Sequence, residues 1–341
     1  MALLYGQLSG AASLREIEAG LSSHRARLYH LGAQAPARST LADANAVRPH
    51  QVFAGLFAHM IGQASRGLRK RVGEAVRLID STGLRLSGLS GWASFSAGVC
   101  GAKLHVVYDP DADLPLYFEV AAARGHDITA AKAMPIEAGA TYVFDLGYYD
   151  YGWWADLDAA GCRLVTRFKK NTPLAVVEER PVAAGSPVLS DHIGHLPARM
   201  ARSRKNPFSD PVREVRVTTE TGKELRILTN DLGAPADEIA ALYRRRWQVE
   251  LFFRWIKQTL KIRHFLGVSE NAVRIQVAVA LIAFLVLRLA QAAAKTVASP
   301  LAFARLVRAN LMHKRPLDAL LDHPPIIVRD ARQLALSLSP L

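Results

Sequence analysis

The spacing of apolar residues predicts that the chain begins with helices. Over residues 1–76 the apolar positions recur at helical spacing, and Ser13 and Glu16 form the S-x-x-E pattern of a capping box before a run that ends near Gly32. A second short helix is predicted to follow, with Ser39 or Thr40 as its N-cap. The pair has the length and rhythm of a helix-turn-helix, although an ordinary helical packing layer would give the same pattern.

From Ala75 onward the pattern changes to short apolar runs of β-type, bounded by Gly, Pro, Asp or Lys. In chain order the runs are AVRLID, GAKLHVVYD, LPLYFEVAAA, TYVFDLG and CRLVTRFK. The turn cluster DPDAD at 109–113 allows the first three to pair as an antiparallel meander. Helical segments before the fourth and fifth runs provide crossovers. The predicted order is three strands, helix, strand, helix, strand.

A different pattern occupies residues 176–230, which are punctuated by proline and show no helical period. Two β-type segments within this stretch, REVRVTT and ELRILTND, are joined by a turn at Gly222, which indicates a β-rich insertion. Helical spacing returns at Pro235, a residue suited to a first helical turn, and continues to about Ala294. A proline-containing helical tail completes the chain.

Composition and charge limit the classes of molecule that the protein is expected to bind. Half of the 341 residues are apolar, which is enough for a sizeable core. The 43 Lys and Arg residues against 30 Asp and Glu leave a net charge of +13, which attracts polyanions. Nucleic acid is therefore the leading partner and a membrane surface the second. The only cysteines, Cys100 and Cys162, are too few for a disulfide framework and fit a reducing cytosol.

Neither a membrane span nor a signal peptide is predicted. The longest apolar stretch, residues 277–287, is shorter than the roughly 20 residues that a span needs, so it predicts a buried core helix. The N-terminal sequence MALLYGQLSGAASLREIE lacks a basic n-region and a cleavage site. It begins in apolar helical sequence without a cap, which favours a shortened helical start. The predicted location is cytoplasmic.

Two aspartates stand where strands are predicted to end. Asp80 closes the run VRLID and Asp145 follows TYVF, so a sheet would present both carboxylates at its rim. For either residue alone, turn chemistry or helix capping is the commoner explanation. Two such acids, each preceded by uninterrupted apolar β sequence, favour a shared site.

The segment YRRRWQVELFFRWIK, residues 243–257, places one acid in a strongly basic helix. At about 100° per residue, its polar face carries Tyr243, Arg246, Glu250, Arg254 and Lys257. The adjoining apolar stripe, able to pack on a sheet, comprises Leu242, Val249, Phe253, Ile256 and Leu260. Docked by this stripe, the helix would hold Glu250 at the edge of the sheet.

Two aspartates and a glutamate suit hard divalent cations, and two such ions about 4 Å apart can clamp the attacking and leaving oxygens of a phosphodiester. The neighbouring cations would contact DNA phosphates. The alternative is a solvated basic helix in which Glu250 makes an incidental pair with Arg246 or Arg254, a pair that stabilises a helix by only about 0.5 kcal/mol. Spacing alone leaves both interpretations open.

The same spacing also supports a family resemblance. Tyr243, Arg246, Glu250 and Lys257 match, without gaps, the Y-R-E-K signature of bacterial insertion-sequence transposases of the DDE superfamily, insertion sequence four type. IDSTGLRLSG around Asp80 and FDLGYYDYGWW around Asp145 resemble the first and second aspartate motifs of that group. The resemblance extends over roughly residues 4–290.

The resemblance implies an α/β fold with a ribonuclease-H-like mixed sheet flanked by helices, a β-rich insertion and an N-terminal helical region. It implies a catalytic and metal-binding triad of Asp80, Asp145 and Glu250, with Mg²⁺ or Mn²⁺ and two ions. Water would cut at the transposon end, and the freed 3′-hydroxyl would attack target DNA. By similarity, Arg246 and Lys257 would hold phosphates of the terminal DNA.

In this family pattern Tyr243 would contact a backbone phosphate near the cut, and Arg254 is a further candidate for DNA contact. Transposon ends and target, both double-stranded DNA, are the implied partners. The implied assembly is a homodimer on paired ends, with no membrane contact.

Five regions are expected along the chain. They are a helical, candidate DNA-binding region at 1–74, the first part of the core at 75–175, the β-rich insertion at 176–232, core helices with the third acid at 233–294 and a helical tail at 295–341.

Two departures from the family bear on phosphate contacts. Leu146 follows the second aspartate, where relatives often carry a basic residue. The segment GWASFSAGVCG has no charge where relatives often place Arg or Lys. Phosphate contacts at these two places are therefore not expected.

Several other residues have competing explanations. His126 and Asp127 could approach the site, but helix capping by Asp127 is the favoured interpretation. His192 and His195 form an H-x-x-H pattern in a segment without helical period, which favours loop residues over a metal site. Trp153 and Trp154 are expected to cover the sheet rather than to stack on bases.

Two rival functions remain at the level of sequence. One is a ribonuclease-H-like nuclease that hydrolyses DNA without joining strands. The other is a non-catalytic DNA-binding remnant, in which the acids have structural roles and the basic helix supplies affinity.

Overall fold

The computed structural model describes residues 1–68, 74–183, 185–199, 205–262, 264–294 and 299–312. Most of the predicted C-terminal tail, residues 295–298 and 313–341, lies outside the described residues.

Helices form the N-terminal region, as the sequence predicts. In order they are α1 (Ala2–Ser9), α2 (Leu14–Ser23), α3 (Arg25–Leu28), α4 (Arg38–Val47) and α5 (His50–Leu68). The hydroxyl of Ser13 accepts a hydrogen bond from the Glu16 amide, so the predicted cap at α2 is confirmed. The predicted caps of α4 are wrong, because that helix begins at Arg38 and so includes Ser39 and Thr40 in its first turn.

Five strands and two helices then form the centre of the molecule. They are β1 (Val76–Leu86), β3 (Val99–Asp109), β4 (Leu114–Ala122), α6 (Asp127–Ala133), β5 (Thr141–Phe144), α7 (Tyr151–Ala159) and β6 (Arg163–Arg167), with the short β2 (Ser94–Ser96) before β3. The strand order is β4-β3-β1-β5-β6. The first three strands pair antiparallel, whereas β1, β5 and β6 run parallel. The predicted meander and the two helical crossovers are confirmed.

The β-rich segment after β6 extends this sheet. Its strands are β7 (Ala175–Arg180), β8 (Val188–His195), β9 (Val212–Thr218) and β10 (Glu224–Thr229). They continue from β6 in the order β10-β9-β8-β7, all antiparallel. Gly222, with φ 76°, allows the turn between β9 and β10.

His192 and His195 lie on β8, so the prediction that they are loop residues is wrong. Alternating burial along β8, with Asp191 and Ile193 buried, overrides the proline-rich and aperiodic appearance of the surrounding sequence.

Four helices follow the sheet: α8 (Ala236–Arg245), α9 (Trp247–Thr259), α10 (Glu270–Ala293) and α11 (Pro300–Ala309). The expectation of one helix through residues 243–257 is wrong in detail. The backbone tightens at Arg246, where the Val249 amide donates to the Arg246 carbonyl at 3.2 Å, a hydrogen bond of the i to i+3 type. Residues 260–262 and 264–269 are not helical either, so helix is not continuous to Ala294.

Two apolar layers cover the sheet. One layer joins one face of the sheet to α5, α8, α9 and α10, and the other joins the opposite face to α6 and α7. The predicted apolar stripe of α8 and α9 lies in the first layer, fully or nearly fully buried. Trp153 and Trp154 lie in the second layer, which confirms that they cover the sheet.

Helix α10 is long and apolar enough by composition to cross a membrane, but most of its apolar window is buried inside the protein. It is therefore the buried core helix that the sequence predicts. Together with the mixed sheet and its flanking helices, this confirms the predicted fold class.

Candidate active site

The register of the central sheet brings Asp80 and Asp145 to the same place. Leu78 on β1 pairs with Val143 on the parallel β5, and both side chains face the layer that contains α9. Because side chains alternate across a strand, the residues two positions further on, Asp80 and Asp145, follow on that same face. Asp80 lies within β1, not at its end, so the prediction that it closes a strand is wrong.

The carboxyl group of Asp80 is largely enclosed. Its Oδ1 accepts a hydrogen bond of 2.7 Å from the Ser81 amide, and its Oδ2 accepts one of 2.8 Å from Arg246 Nη1. Burial raises the pKa of Asp80 to about 6, and the negative charges of Asp145 and Glu250 add to the rise, while the Ser81 hydrogen bond and the Arg246 charge oppose it. The charges of Asp145 and Glu250 therefore both act on Asp80.

Asp145 opens a tight turn directly after β5. Its Oδ1 accepts a hydrogen bond of 2.8 Å from the Gly147 amide. An added Cβ at Gly147 would lie 3.0 Å from Asp145 Oδ1 and 2.8 Å from Asp127 Oδ2, so a side chain there would displace at least one of the two carboxylates. The turn therefore fixes Asp145 and brings Asp127 beside it.

Arg246 joins the first and third acids. Its guanidinium donates to Asp80 Oδ2 and, through Nη2, to Glu250 Oε1 at 2.5 Å. The side chains of Arg246, Asp80 and Glu250 are 17%, 14% and 32% exposed, so this bridge is shielded from bulk water. The tight turn at Arg246 lets one residue reach both the sheet and the next turn of α9.

The other residues of the Y-R-E-K pattern lie in different environments. Lys257 Nζ donates to Thr82 Oγ1 on β1 at 2.6 Å. Tyr243 is 8% exposed and packs in the core, and burial raises its pKa to about 12. Its ring is therefore not on an open polar face, as a helical wheel suggests. Arg254 is exposed on α9.

Sequence reasoning missed two contributions to this site. Arg167 lies exposed at the carboxyl end of β6, next to the β5 end that carries Asp145, and its positive charge lowers the pKa of Tyr243 against the effect of burial. Thr82 accepts the hydrogen bond from Lys257. In the sequence, Arg167 ends the predicted strand segment RLVTR, as Asp145 follows TYVF, and this position at a strand end could have identified it.

Asp127 does not cap its helix. The N-cap of α6 is His126, which makes no side-chain capping bond, and Asp127 instead pairs with Lys103 Nζ at 2.8 Å. The prediction of capping is therefore wrong, because a lysine on β3 competes for the carboxylate.

The donor set suits divalent cations. Asp80 and Asp145 lie on one face of the sheet, and a guanidinium already bridges Asp80 to Glu250, so the position favours positive charge. Across the ranges that the structure describes, no group of three or more His, Cys, Asp and Glu side chains is arranged to hold a metal ion. The guanidinium of Arg246 instead contacts the carboxylates of both Asp80 and Glu250.

Comparison with known families gives two matches. The family model described as Transposase DDE domain matches residues 72–286, which include all three acids. A model described as a domain of unknown function, DUF4372, matches residues 1–34.

Similar proteins are named as transposases. The y4zB transposase of Sinorhizobium fredii is 42% identical over 291 residues, which cover 85% of this chain and 82% of the relative. The transposase of insertion sequence element IS5377 from Geobacillus stearothermophilus is 30% identical over 79% of this chain and 72% of its own length. A transposase for insertion sequence element IS4SA from Synechocystis is 35% identical over 21% of this chain and 24% of its own length.

Among solved structures, the piggyBac transposase synaptic complex with hairpin DNA matches with a TM-score of 0.42 and 12% identity, over 73% of this chain and 54% of that chain.

Proposed function

Because the chain belongs to the DDE transposase family, we propose that Asp80, Asp145 and Glu250 are the catalytic acids of an insertion-sequence transposase. The protein is a polynucleotidyl transferase of this family, which depends on divalent metal and acts on DNA. The position of Asp80 and Asp145 on one face of the sheet, with Arg246 bridging Asp80 to Glu250, is the observation that carries the assignment.

The same three carboxylates would hold the metal, and we infer Mg²⁺ or Mn²⁺ with two ions. When bound, the ions supply Lewis-acid charge that activates the attacking oxygen and stabilises the leaving oxygen. The protein orients the acids through the Ser81 and Gly147 amides. These bonds fix the carboxylates before DNA arrives, which reduces the reorganisation needed during the reaction.

The cations around the acids would hold phosphates. Arg246 and Lys257 flank β1, and Arg167 adds a cation at the β6 end that compensates for Leu146 after the second aspartate. Exposed Arg254 would reach DNA further along α9. Tyr243 would act from its buried position, by supporting Arg246 beneath the phosphate.

We further propose a role for each region of the chain. The regions are 1–74 as a candidate DNA-binding region, 75–175 and 233–294 as the catalytic core, 176–232 as an insertion and 295–341 as a tail. In this proposal the protein acts in the cytoplasm as a homodimer on the paired ends of the element, with a second double-stranded DNA as target.

A strand-joining assay tests the function. Full-length protein is incubated with Mg²⁺, DNA that carries the element ends and a plasmid target, and wild type is compared with Asp80→Ala and Glu250→Ala. Asp156→Ala, which changes an exposed acid on α7, is the control. Joined products in wild type and control, lost in both active-site variants, are expected. Cleavage without joining would indicate a nuclease, and DNA binding without chemistry would indicate a non-catalytic protein.

A further inference from the structure

An ion pair lies behind the Asp145 turn, outside the Y-R-E-K pattern. Lys103 on β3 contacts Asp127 at the start of α6, with Nζ 2.8 Å from Oδ1, and it also donates to the Gly125 carbonyl at 3.2 Å. The two side chains are 29% and 19% exposed. Both partners are held in place, because one lies within the sheet and the other at a helix end.

The second oxygen of Asp127 faces the active-site turn. Asp127 Oδ2 and Asp145 Oδ1 lie on either side of the position that a Cβ on Gly147 would take, at 2.8 Å and 3.0 Å from it. Asp127 is therefore a further carboxylate beside Asp145, one of the three proposed catalytic acids. The charge of Asp127 also acts on the buried Tyr148, on which Asp80 and Asp145 act as well. Burial raises the pKa of Tyr148, and the charges of Asp127, Asp80 and Asp145 all add to that rise.

A fourth negative charge at this distance has a definite effect. Two charges within a partly shielded protein edge interact several times more strongly than in water, and a divalent cation doubles the interaction. An unneutralised Asp127 would strengthen cation binding at Asp145, and an unneutralised Lys103 would weaken it. The ion pair cancels both effects.

We propose that Lys103 and Asp127 set the divalent-cation affinity of the active site by fixing the net charge beside Asp145. This inference rests on the proposed function, since it concerns the same three acids. Lys103 and Asp127 touch neither the cation nor the DNA in this scheme, so they are positioning residues that act through Asp145.

A purely structural ion pair predicts something different. If the pair only supported the Gly147 turn, the loss of either partner would disturb Asp145 in the same direction and weaken cation binding. A charge-setting pair instead predicts opposite signs for the two single substitutions. The sign of the change is therefore the decisive readout.

The test measures Mn²⁺ dissociation constants by electron paramagnetic resonance for the full-length protein and three variants. Lys103→Gln is expected to bind Mn²⁺ about fivefold more tightly, Asp127→Asn about fivefold more weakly, and the double variant within about twofold of wild type. Lys103→Met repeats the first measurement if the glutamine variant does not fold, as judged by circular dichroism. Raising the salt concentration should shrink both single effects.

The outcomes separate this inference from the function on which it rests. Weaker binding in both single variants, or no change in either, overturns the role of the pair while leaving the three acids intact. Mn²⁺ binding that survives in Asp80→Ala and Glu250→Ala overturns the proposed function, and the inference falls with it.

Discussion

Arg246 bridges two acids that the sequence separates by 170 residues: its guanidinium lies 2.8 Å from Asp80 Oδ2, and its second amino group lies 2.5 Å from Glu250 Oε1. One contact crosses from the junction of α8 and α9 to the sheet, and the other reaches the first turn of α9. Two carboxylates that would repel each other are thereby held on one positive group.

The bridge predicts the effect of a conservative substitution. Lysine at position 246 keeps the charge, but it cannot present two parallel donors to two carboxylates. Strand joining by Arg246→Lys is expected to fall by about 10- to 100-fold, because misplacement by about 1 Å costs that much. The matched control is Arg245→Lys, since Arg245 pairs with Asp111 on the β3–β4 turn, away from the three acids. Equal activity in both variants would contradict the bridge.

Lys257 is predicted to contact a DNA phosphate. Lys257→Ala should weaken binding to the end DNA and lower the slope of log K against log salt by about one, because one fewer counterion is released. Binding is measured by fluorescence anisotropy over a range of salt. Thr82→Val is the control, because it removes the 2.6 Å partner of Lys257 while leaving the charge in place. An unchanged slope in the alanine variant would contradict a contact between Lys257 and a DNA phosphate.

An added side chain at Gly147 is predicted to disturb the carboxylates beside it. Alanine there would place a methyl group between two carboxylates, at 2.8 Å and 3.0 Å. Asp127 or Asp145 must shift to make room, and a shift of Asp145 should lower strand joining by about tenfold, for the geometric reason given for Arg246. Gly83→Ala on β1 meets no atom within 4 Å and should keep its activity. A fully active Gly147→Ala protein would show that the turn does not fix Asp145.

How far sequence reasoning reached is clearest at the two aspartates. The apolar runs before Asp80 and Asp145 predicted the strands correctly, but they could not predict that β1 continues to Leu86, because a carboxylate looks like a strand end. Their shared face follows from the pairing of Leu78 with Val143. Such long-range register is not visible in a local pattern.

The remaining differences have the same origin. The helical wheel placed Tyr243 on a polar face, but the turn at Arg246 and the packing of α8 bury its ring. The sequence pattern did not indicate Arg167, because only the pairing of β6 with β5 brings this residue to the rim beside Asp145. Tertiary packing thus determined the site details that periodicity left open.

A buried charge cluster in the insertion predicts a pH dependence of stability. Burial alone would raise the pKa of Glu214, but hydrogen bonds from Arg226 and Arg216 outweigh it and hold the pKa below its ordinary value of 4.5. A carboxylate with a lowered pKa in the folded state stabilises the protein above the unfolded pKa, and that stability is lost as pH falls through the folded pKa.

The free energy of unfolding should therefore fall with pH below about 4.5, the ordinary value for this group. In Glu214→Gln this part of the pH dependence should disappear, and stability at neutral pH should drop by about 2 to 4 kcal/mol, because Arg226 loses its buried partner. Urea unfolding followed by circular dichroism between pH 3 and pH 7 is the measurement. Parallel curves for the two proteins would contradict the assignment.

Cleavage of the protein by bound iron tests the central claim most directly, because it reports on cation binding without requiring activity. Fe²⁺ bound in place of Mg²⁺ generates hydroxyl radicals with ascorbate and peroxide, and these cut the backbone near the iron. If Asp80, Asp145 and Glu250 share one cation site, the chain should be cut near all three positions at once. Excess Mg²⁺ should suppress the three cuts together, and Asp80→Ala should abolish them together. Cuts near only one acid, or cuts elsewhere that Mg²⁺ leaves unchanged, would contradict the shared site.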